Sequence, residues 1–311
     1  MKLAILDVGH GNCAVLYEDR RPAVVIDCPP GDTLSGFLRK SRIDTVSDLI
    51  ISHADADHCG GVAALMRSGI LVRKIWMLDE RQNKNVFYTW ILQNFKHAED
   101  NGSPIGRDYP TAQGADIPID DYLVEFVAPN HWNAGQGNNR NRLSVVVRVS
   151  RGDRGIALLP GDLDWVGYQN IHGERDISAQ WLVAPHHGGG AGAGDAAPRL
   201  LAALIERCRA KEVVFSIHED QFELPRPELL TLLRTRRPEV QVRCTQLSSH
   251  CRKLPLPALD DFHNVWSRGV TLTGNSCCSG TIVIDTSRGD TWDKAPEHDS
   301  FKESIPGAQC R

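Results

Sequence analysis

The sequence contains no apolar run that could cross a membrane. No stretch approaches the ~18 consecutive apolar residues that a transmembrane helix needs. The first apolar stretch covers only residues 3–6 before Asp7, which is too short for the hydrophobic region of a signal peptide. We therefore expect a soluble, cytoplasmic protein that has no membrane partner.

The sequence also lacks a large charge imbalance. Lys and Arg number 35 and Asp and Glu number 39, so the formal net charge of −4 excludes a strongly basic, histone-like protein. A nucleic-acid enzyme is not excluded, because a local basic groove is sufficient for binding. The motifs GxSxG and GxGxxG and the P-loop are missing as well, so nothing indicates a serine nucleophile elbow or a nucleotide-binding glycine loop.

The nine cysteines do not predict a disulfide framework. Their number is odd and no signal peptide precedes them, so we expect reduced thiols, some of them on a metal. Four of them predict a structural zinc site on Cys244, Cys251, Cys277 and Cys278, in which a histidine could replace the last cysteine. The alternative is a set of buried free thiols.

Three groups of metal-binding residue types each follow an apolar strand. They lie in the segments SHADADHCGG (52–61), LLPGD (158–162) and PHHGG (185–189). Their metal-binding side chains are His53, Asp55, Asp57, His58, Asp162, His186 and His187. Imidazole and carboxylate together suit Zn²⁺, Mn²⁺ or Fe²⁺, and alternate residues of an extended loop point the same way. The three segments therefore predict one metal site.

The order of these motifs resembles the metallo-β-lactamase superfamily, and within it the soluble nuclease-like domain of the ComEC competence proteins. The resemblance covers about residues 1–245. Besides the three segments, it is carried by DVGHGN (7–12), VID (25–27) and NRLSVVV (141–147). It implies an α/β (α+β) fold, an αββα four-layer sandwich with the metal site at the edge between its sheets.

The extent of the resemblance guides the expected domain organisation. Residues 1–243 would form the metallo-β-lactamase-like hydrolase domain, and the Cys-rich residues 244–288, most of which lie outside the resemblance, are expected to complete the sandwich. Residues 289–311 are rich in Asp, Glu, Pro and Ser, a composition that predicts a disordered tail.

Two divalent metal ions follow from the resemblance, Zn²⁺ or Mn²⁺, with Mg²⁺ as a further option. The implied ligands are His53 and Asp55 at one ion, Asp57, His58 and one histidine of the pair His186 and His187 at the other, and Asp162 between the two. Of the adjacent histidines we favour His186 as the ligand, and we place His187 beside it or against substrate. A structural zinc ion on the C-terminal cysteines would be additional.

The activity that the resemblance implies is phosphodiester hydrolysis by a metal-activated water, in a nuclease acting on DNA or RNA. We assign catalytic roles to Asp57, which would orient the water, and to His187. The alternatives are a hydrolase of a small ester, lactone, thioester or cyclic nucleotide, and a subunit that works with a protein partner in a larger assembly.

Substrate contacts are less clearly marked. The candidate substrate-binding residues are His10, Asn141, Arg140, Arg142, His218 and Arg226. Arg140 and Arg142 belong to a long Gly- and Asn-rich loop and could contact phosphate. ComEC-like proteins carry a late Gly-His-Pro motif that this sequence lacks, and His218 or Arg226 are the candidates to replace its histidine.

Overall fold

The computed structural model describes residues 1–79, 86–102, 104–130, 141–171, 175–219, 222–252, 278–308 and 310. In this part of the chain, fifteen strands form two sheets. The first sheet has the order β15-β14-β1-β2-β3-β4-β5-β6. Its strands are β1 (Lys2–Ile5), β2 (Ala14–Tyr17), β3 (Ala23–Ile26), β4 (Thr45–Ile50), β5 (Leu71–Trp76), β6 (Gly106–Asp108), β14 (Ile282–Asp285) and β15 (Thr291–Trp292).

The second sheet has the order β13-β12-β11-β10-β9-β8-β7. Its strands are β7 (Ile117–Ile119), β8 (Tyr122–Ala128), β9 (Val146–Arg151), β10 (Arg154–Leu159), β11 (Trp181–Val183), β12 (Glu212–Phe215) and β13 (Gln241–Cys244). Strands β10 to β13 run parallel, as do β3 to β6 in the first sheet. Each sheet thus has an antiparallel half and a parallel half.

Helices cover the outer faces of both sheets. They are α1 (Thr33–Lys40), α2 (Ala56–Cys59), α3 (Val62–Arg67), α4 (Val86–Asp100), α5 (Trp165–Gln169), α6 (Ala196–Cys208), α7 (Pro227–Arg236), α8 (Ser249–Arg252) and α9 (Ala295–Ser304). Side chains alternate along a strand, so Leu3 and Ile5 of β1 enter the core between the sheets, whereas Ala4 enters the core beneath α1, α3 and α4. The expected αββα four-layer sandwich is confirmed.

The C-terminal residues correct one sequence-based expectation. The prediction of a disordered tail over 289–311 is wrong for the described residues, because β15 pairs with β14 and α9 packs on the core. Trp292 and Phe301 are 4% and 0% exposed. The polar composition hid these two aromatic anchors, each of which contributes about 1.5–3 kcal/mol or more by its burial.

Strand β14 also fixes the C-terminal segment to the start of the chain. It pairs antiparallel with β1, and Lys2 lies opposite Asp285. No helix in the described ranges is long and apolar enough to cross a membrane.

Candidate metal centre

The candidate site lies where three strands end. The chain leaves β4 at Ile50, β10 at Leu159 and β11 at Val183, and each exit leads into one of the three motif segments. Gly161 makes the exit from β10 possible: its φ is +54°, and a Cβ atom there would lie 2.4 Å from Ser144 Oγ. Only glycine fits this turn without displacement, and the turn places Asp162 against the other two loops.

Four side chains form the centre of the site. They are Asp57, His58, Asp162 and His187, whose ligand atoms all lie within 4.8 Å of one another. His58 Nε2 is 3.1 Å from Asp162 Oδ1, and His187 Nε2 is 3.3 Å from Asp57 Oδ2. In the described ranges, no other group of three or more His, Cys, Asp or Glu residues has all its ligand atoms within 4.8 Å of one another.

The structure assigns the two adjacent histidines differently from the sequence-based preference. His187, which is 2% exposed, belongs to the Asp57 cluster, whereas the sequence favours His186 for that position. Both residues have positive φ, 53° for His186 and 56° for His187, inside a 3₁₀ turn at Pro185–Gly188. The rule that successive side chains of an extended strand point to opposite sides therefore does not apply to these two histidines. Unfavourable backbone conformations of this kind are concentrated at functional sites.

The remaining predicted ligands lie on the other side of Asp162. Its Oδ2 atom is 3.2 Å from His186 Nδ1 and 3.8 Å from His53 Nε2. His53 Nε2 is also 3.5 Å from Asp55 Oδ2. Asp162 thus contacts both halves of the predicted ligand set, one with each carboxylate oxygen.

Hydrogen bonds from the surrounding strands orient two of the histidines. Asp27, at the end of β3, accepts a 2.7 Å hydrogen bond from His58 Nδ1 and another of 2.7 Å from the Ser52 amide. His187 Nδ1 donates to the Ser216 carbonyl at 3.1 Å. Both contacts direct the Nε2 atoms into the cluster, as carboxylate and carbonyl partners of metal-binding histidines do.

The roles of Asp27 and Ser216 were not identified from the sequence, where Asp27 appeared only as part of a motif. The available signal was position, since both follow buried strands whose ends meet at the site. Asp27 also has a φ of 61°, a left-handed conformation that sequence patterns do not show.

The electrostatics of the cluster favour a positive charge. Burial would raise the pKa of Asp57 and Asp162, but the adjacent imidazoles of His10 and His187 at Asp57, and of His58 at Asp162, hold both pKa values well below the usual range. Burial would lower the pKa of His58, but the adjacent carboxylates, led by Asp162, raise it well above its usual value. Both carboxyl groups are therefore ionised, as metal ligands must be.

Unpaired buried atoms provide the test of whether a metal ion fits. Among the described residues, the Nε2 atoms of His53, His58 and His187 and Oδ1 of Asp162 are buried without a hydrogen-bond partner. Each such atom costs about 1–3 kcal/mol when nothing pairs with it. A divalent cation would satisfy them together, because all are good ligand atoms for Zn²⁺ or Mn²⁺. The residues present therefore fit a metal ion.

The predicted substrate residues separate into two groups. His10 lies at the cluster, with Nε2 3.2 Å from Asp57 Oδ2, and Asn141 Nδ2 lies 2.9 Å from His186 Nε2. His218 lies beside Gly9, where a Cβ atom on that glycine would be 3.0 Å from the His218 ring.

Three arginines complete that set of predictions. Arg142 is exposed, with Nε 3.8 Å from Asp164 Oδ2. Arg226 is exposed as well, and its amide donates to the Gly188 carbonyl at 3.0 Å. Arg140 lies outside the described residues.

The described C-terminal cysteines include three of the four residues of the predicted zinc site. Cys244, Cys251 and Cys278 are buried, and Cys277 lies outside the described residues. Cys310 joins them, since a hydrogen bond with Cys251, together with burial, raises its pKa well above the usual value. The sulfur atoms of the described cysteines do not all lie within 4.8 Å of one another, as the ligand atoms of the Asp57 cluster do. A zinc ion at these cysteines therefore stays a prediction.

Replacing Asp27 by Asn should weaken metal binding by about 10- to 100-fold, the usual cost of removing a partner of a metal-binding histidine. The amide cannot accept from both Ser52 and His58 as the carboxylate does. Competition with a chromophoric chelator measures the affinity. Asp48→Asn is the matched control, because Asp48 is an aspartate of the same sheet that accepts from Trp76 Nε1 and not from a histidine of the cluster in the described residues. Equal affinities of the Asp27→Asn protein and wild type would contradict this role.

Comparison with known proteins gives one family match and several distant structural likenesses. The family model described as metallo-beta-lactamase superfamily matches residues 6–202. No curated protein matches significantly. A metallo hydrolase from the hyperthermophilic archaeon Ignicoccus hospitalis is similar at 15% identity and a TM-score of 0.49, over 78% of this chain and 95% of that chain. Human tRNase Z, short form, is similar at 15% identity and a TM-score of 0.46, over 71% of this chain and 94% of that chain.

These structural likenesses are too distant to bear on the substrate. The family match, by contrast, covers more than half of the chain and includes all three motif segments. It also agrees with the two-sheet fold and with a cluster that fits a metal ion. The chain therefore belongs to the metallo-β-lactamase superfamily.

Proposed function

We propose that the protein is a metal-dependent phosphodiesterase and that its substrate is DNA or RNA. The observation that carries the proposal is the uneven exposure of the cluster. The Asp57 side chain is 25% exposed, whereas those of His58, Asp162 and His187 are 0%, 8% and 2% exposed. The cluster is therefore closed on the protein side and open at Asp57, where a phosphate group can approach.

The arrangement of ligands supports two metal ions. Asp57, His58, His187 and Oδ1 of Asp162 would hold one ion, and His53, Asp55 and Oδ2 of Asp162 would hold the other. When bound, a pair of divalent ions lowers the pKa of water and polarises the phosphoryl oxygens of a phosphodiester. Three imidazoles and three carboxylates favour Zn²⁺ or Mn²⁺, with Mg²⁺ as the harder alternative.

The chain's own residues position Asp57 and the substrate. His10 Nε2 and His187 Nε2 contact Asp57 Oδ2 at 3.2 and 3.3 Å, which fixes this carboxylate at the open side, where it can orient the attacking water. Arg226 lies beside the glycine loop after His187, since a Cβ atom on Gly190 would be 3.9 Å from its Nη1. An arginine there can pair with a neighbouring phosphate of a polymer.

Metal-resolved hydrolysis tests the proposal. The purified protein is analysed for bound metal and then assayed on bis-p-nitrophenyl phosphate, single-stranded DNA, duplex DNA and RNA with Mn²⁺, Zn²⁺ or Mg²⁺. We expect chelator-sensitive cleavage of the model ester and of at least one polymer. Hydrolysis of carboxylic esters, lactones or thioesters alone would overturn the proposal in favour of a small-molecule hydrolase. A metal-free, inactive protein would indicate a binding subunit of a larger assembly.

Separately, we propose a structural zinc ion on the C-terminal thiols, and Cys251→Ser should then lose about one zinc ion per chain. Asp162→Asn should retain that ion, because Asp162 belongs to the other site. Elemental analysis measures the content, and release of zinc by a mercurial reagent from wild type reports thiolate ligands even if the variant misfolds. Equal zinc content in the Cys251→Ser protein and wild type, with no mercurial-released zinc, would contradict the site.

A further inference from the structure

A row of five aromatic rings leads from solvent to the metal cluster. Neighbouring ring centroids are 4.7 Å apart for Phe222 and His10, 4.6 Å for His10 and His187, 5.3 Å for His187 and His58, and 4.1 Å for His58 and His53. Phe222 is the outermost ring and is 70% exposed. An open aromatic surface is thus only two ring-to-ring steps from a candidate metal ligand.

The backbone holds Phe222 in this exposed position. Phe222 and Glu223 have φ values of 61° and 48°, a left-handed conformation that is unfavourable for residues with a Cβ atom. The chain is anchored just after Phe222 and Glu223, because Leu224 is buried and the Arg226 amide donates to the Gly188 carbonyl. Strain of this kind persists where surrounding contacts impose it, and it is concentrated at functional sites.

The surroundings of the ring indicate what it would bind. Phe222 packs at 46° against the His10 imidazole, and the groups next along the row are the Asp57 carboxylate and the His187 ring. Phe222 is 70% exposed beside these polar groups, so its ring is an open aromatic surface and not part of an enclosed apolar pocket of the kind that holds an acyl chain. Nucleobases bind to such faces by stacking, and they do so next to charged groups that contact phosphate.

We propose that Phe222 and His10 form a stacking subsite for a nucleobase of the phosphodiester held at the metal cluster. The inference rests on the proposed phosphodiesterase function and makes it more specific. The sugar of a nucleotide would bridge from the stacked base to the phosphate at Asp57. Phe222 then determines preference for nucleoside-bearing substrates, whereas the cluster determines the reaction.

Two esters with the same leaving group test the subsite. Thymidine 5′-(p-nitrophenyl phosphate) and methyl p-nitrophenyl phosphate differ only in the nucleoside. Phe222→Ala should lower the ratio of their kcat/KM values by about 5- to 150-fold, the usual range for loss of one base–aromatic stack, mainly through KM of the thymidine ester. Phe222→Trp should restore the ratio. Tyr109→Ala, which removes another exposed aromatic ring, that of the residue after β6, is the matched control.

Several outcomes would overturn the subsite. Phe222→Ala could slow both esters equally, which would make Phe222 a support for His10 and Asp57 only. Phe222→Leu could keep the wild-type ratio, which would indicate a plain apolar contact. Binding of a fluorescent oligothymidylate to metal-free protein tests the stacking subsite separately from the proposed phosphodiesterase activity. Weaker binding by the Phe222→Ala protein than by wild type supports the subsite even if neither ester is hydrolysed. Unchanged binding rejects the subsite.

Discussion

Asp162→Asn should lower kcat/KM for bis-p-nitrophenyl phosphate by about 1000-fold or more. One carboxylate serves both halves of the site: Oδ1 lies 3.1 Å from His58 Nε2, and Oδ2 lies 3.2 Å from His186 Nδ1. Removing its charge would weaken the attraction for both of the proposed metal ions at once. Metal ions supply several kcal/mol of transition-state stabilisation, and about 1.4 kcal/mol corresponds to a factor of ten in rate.

A neighbouring aspartate gives a matched control for this prediction. Asp164 lies two residues later in the same loop and accepts a 2.6 Å hydrogen bond from the Gly167 amide at the start of α5. Asparagine caps a helix about as well as aspartate, so Asp164→Asn should keep activity and fold. Circular dichroism and metal analysis accompany the assay. An Asp162→Asn enzyme with a tenth or more of wild-type activity would show that the reaction occurs elsewhere.

The location of the site was predictable because it depends on strand ends. The apolar strands before His53, Asp162 and His187 could be read from the sequence, and strand ends within two facing sheets meet at one edge. The loops that follow these strands contain histidine and aspartate, which can bind a metal ion whatever their exact geometry. The fold class and the residue types of the cluster could therefore be predicted from the sequence alone.

Assignments within the site were less accessible. His186 and His187 are consecutive and both left-handed, so neither strand nor helix periodicity tells which one faces Asp57. Asp27 reaches His58 across 31 positions of sequence, a contact that only the pairing of β3 with β4 creates. Phe222 carries no motif at all, and its exposure becomes meaningful only beside His10.

The tail was mispredicted for a related reason. Composition describes the average of a segment, whereas a few buried contacts decide whether it folds. Besides the buried Trp292 and Phe301, this segment has an acidic residue, Asp299, that accepts hydrogen bonds from Arg243 and Lys302. A charged segment that completes a buried ion network cannot be told from a solvated one by counting residue types.

Arg243→Met should lower the free energy of unfolding by about 3–5 kcal/mol, which is the usual cost of removing one partner from a buried ion network. Arg243 is 1% exposed and donates to Glu212 at 3.1 Å, to His298 Nδ1 at 2.9 Å and to Asp299. Its guanidinium also lies 5.6 Å from the centre of the Trp292 ring. This single side chain thus joins β13 to β12, β15 and α9.

The pKa values of the partners show what the variant would leave behind. Burial raises the pKa of Glu212 even with Arg243 present, and burial keeps the pKa of His298 well below its usual value. Without the guanidinium, the Glu212 carboxylate, whose side chain is only 15% exposed, would lose its ion pair with Arg243. Methionine fills part of the volume, so the expected loss reflects mainly the unpaired polar groups.

Chemical denaturation of three variants checks the expectation. Arg243→Met is compared with Glu212→Gln and with the double variant, and we expect the double variant to be more stable than the sum of the single losses implies. Arg288→Ala is the matched control, because Arg288 is 82% exposed and its pair with Asp285 should contribute only about 0–1 kcal/mol. If Arg243→Met and Arg288→Ala lose equal stability, then the C-terminal helix is not held by this network, and α9 must be anchored by Phe301 and its apolar neighbours alone.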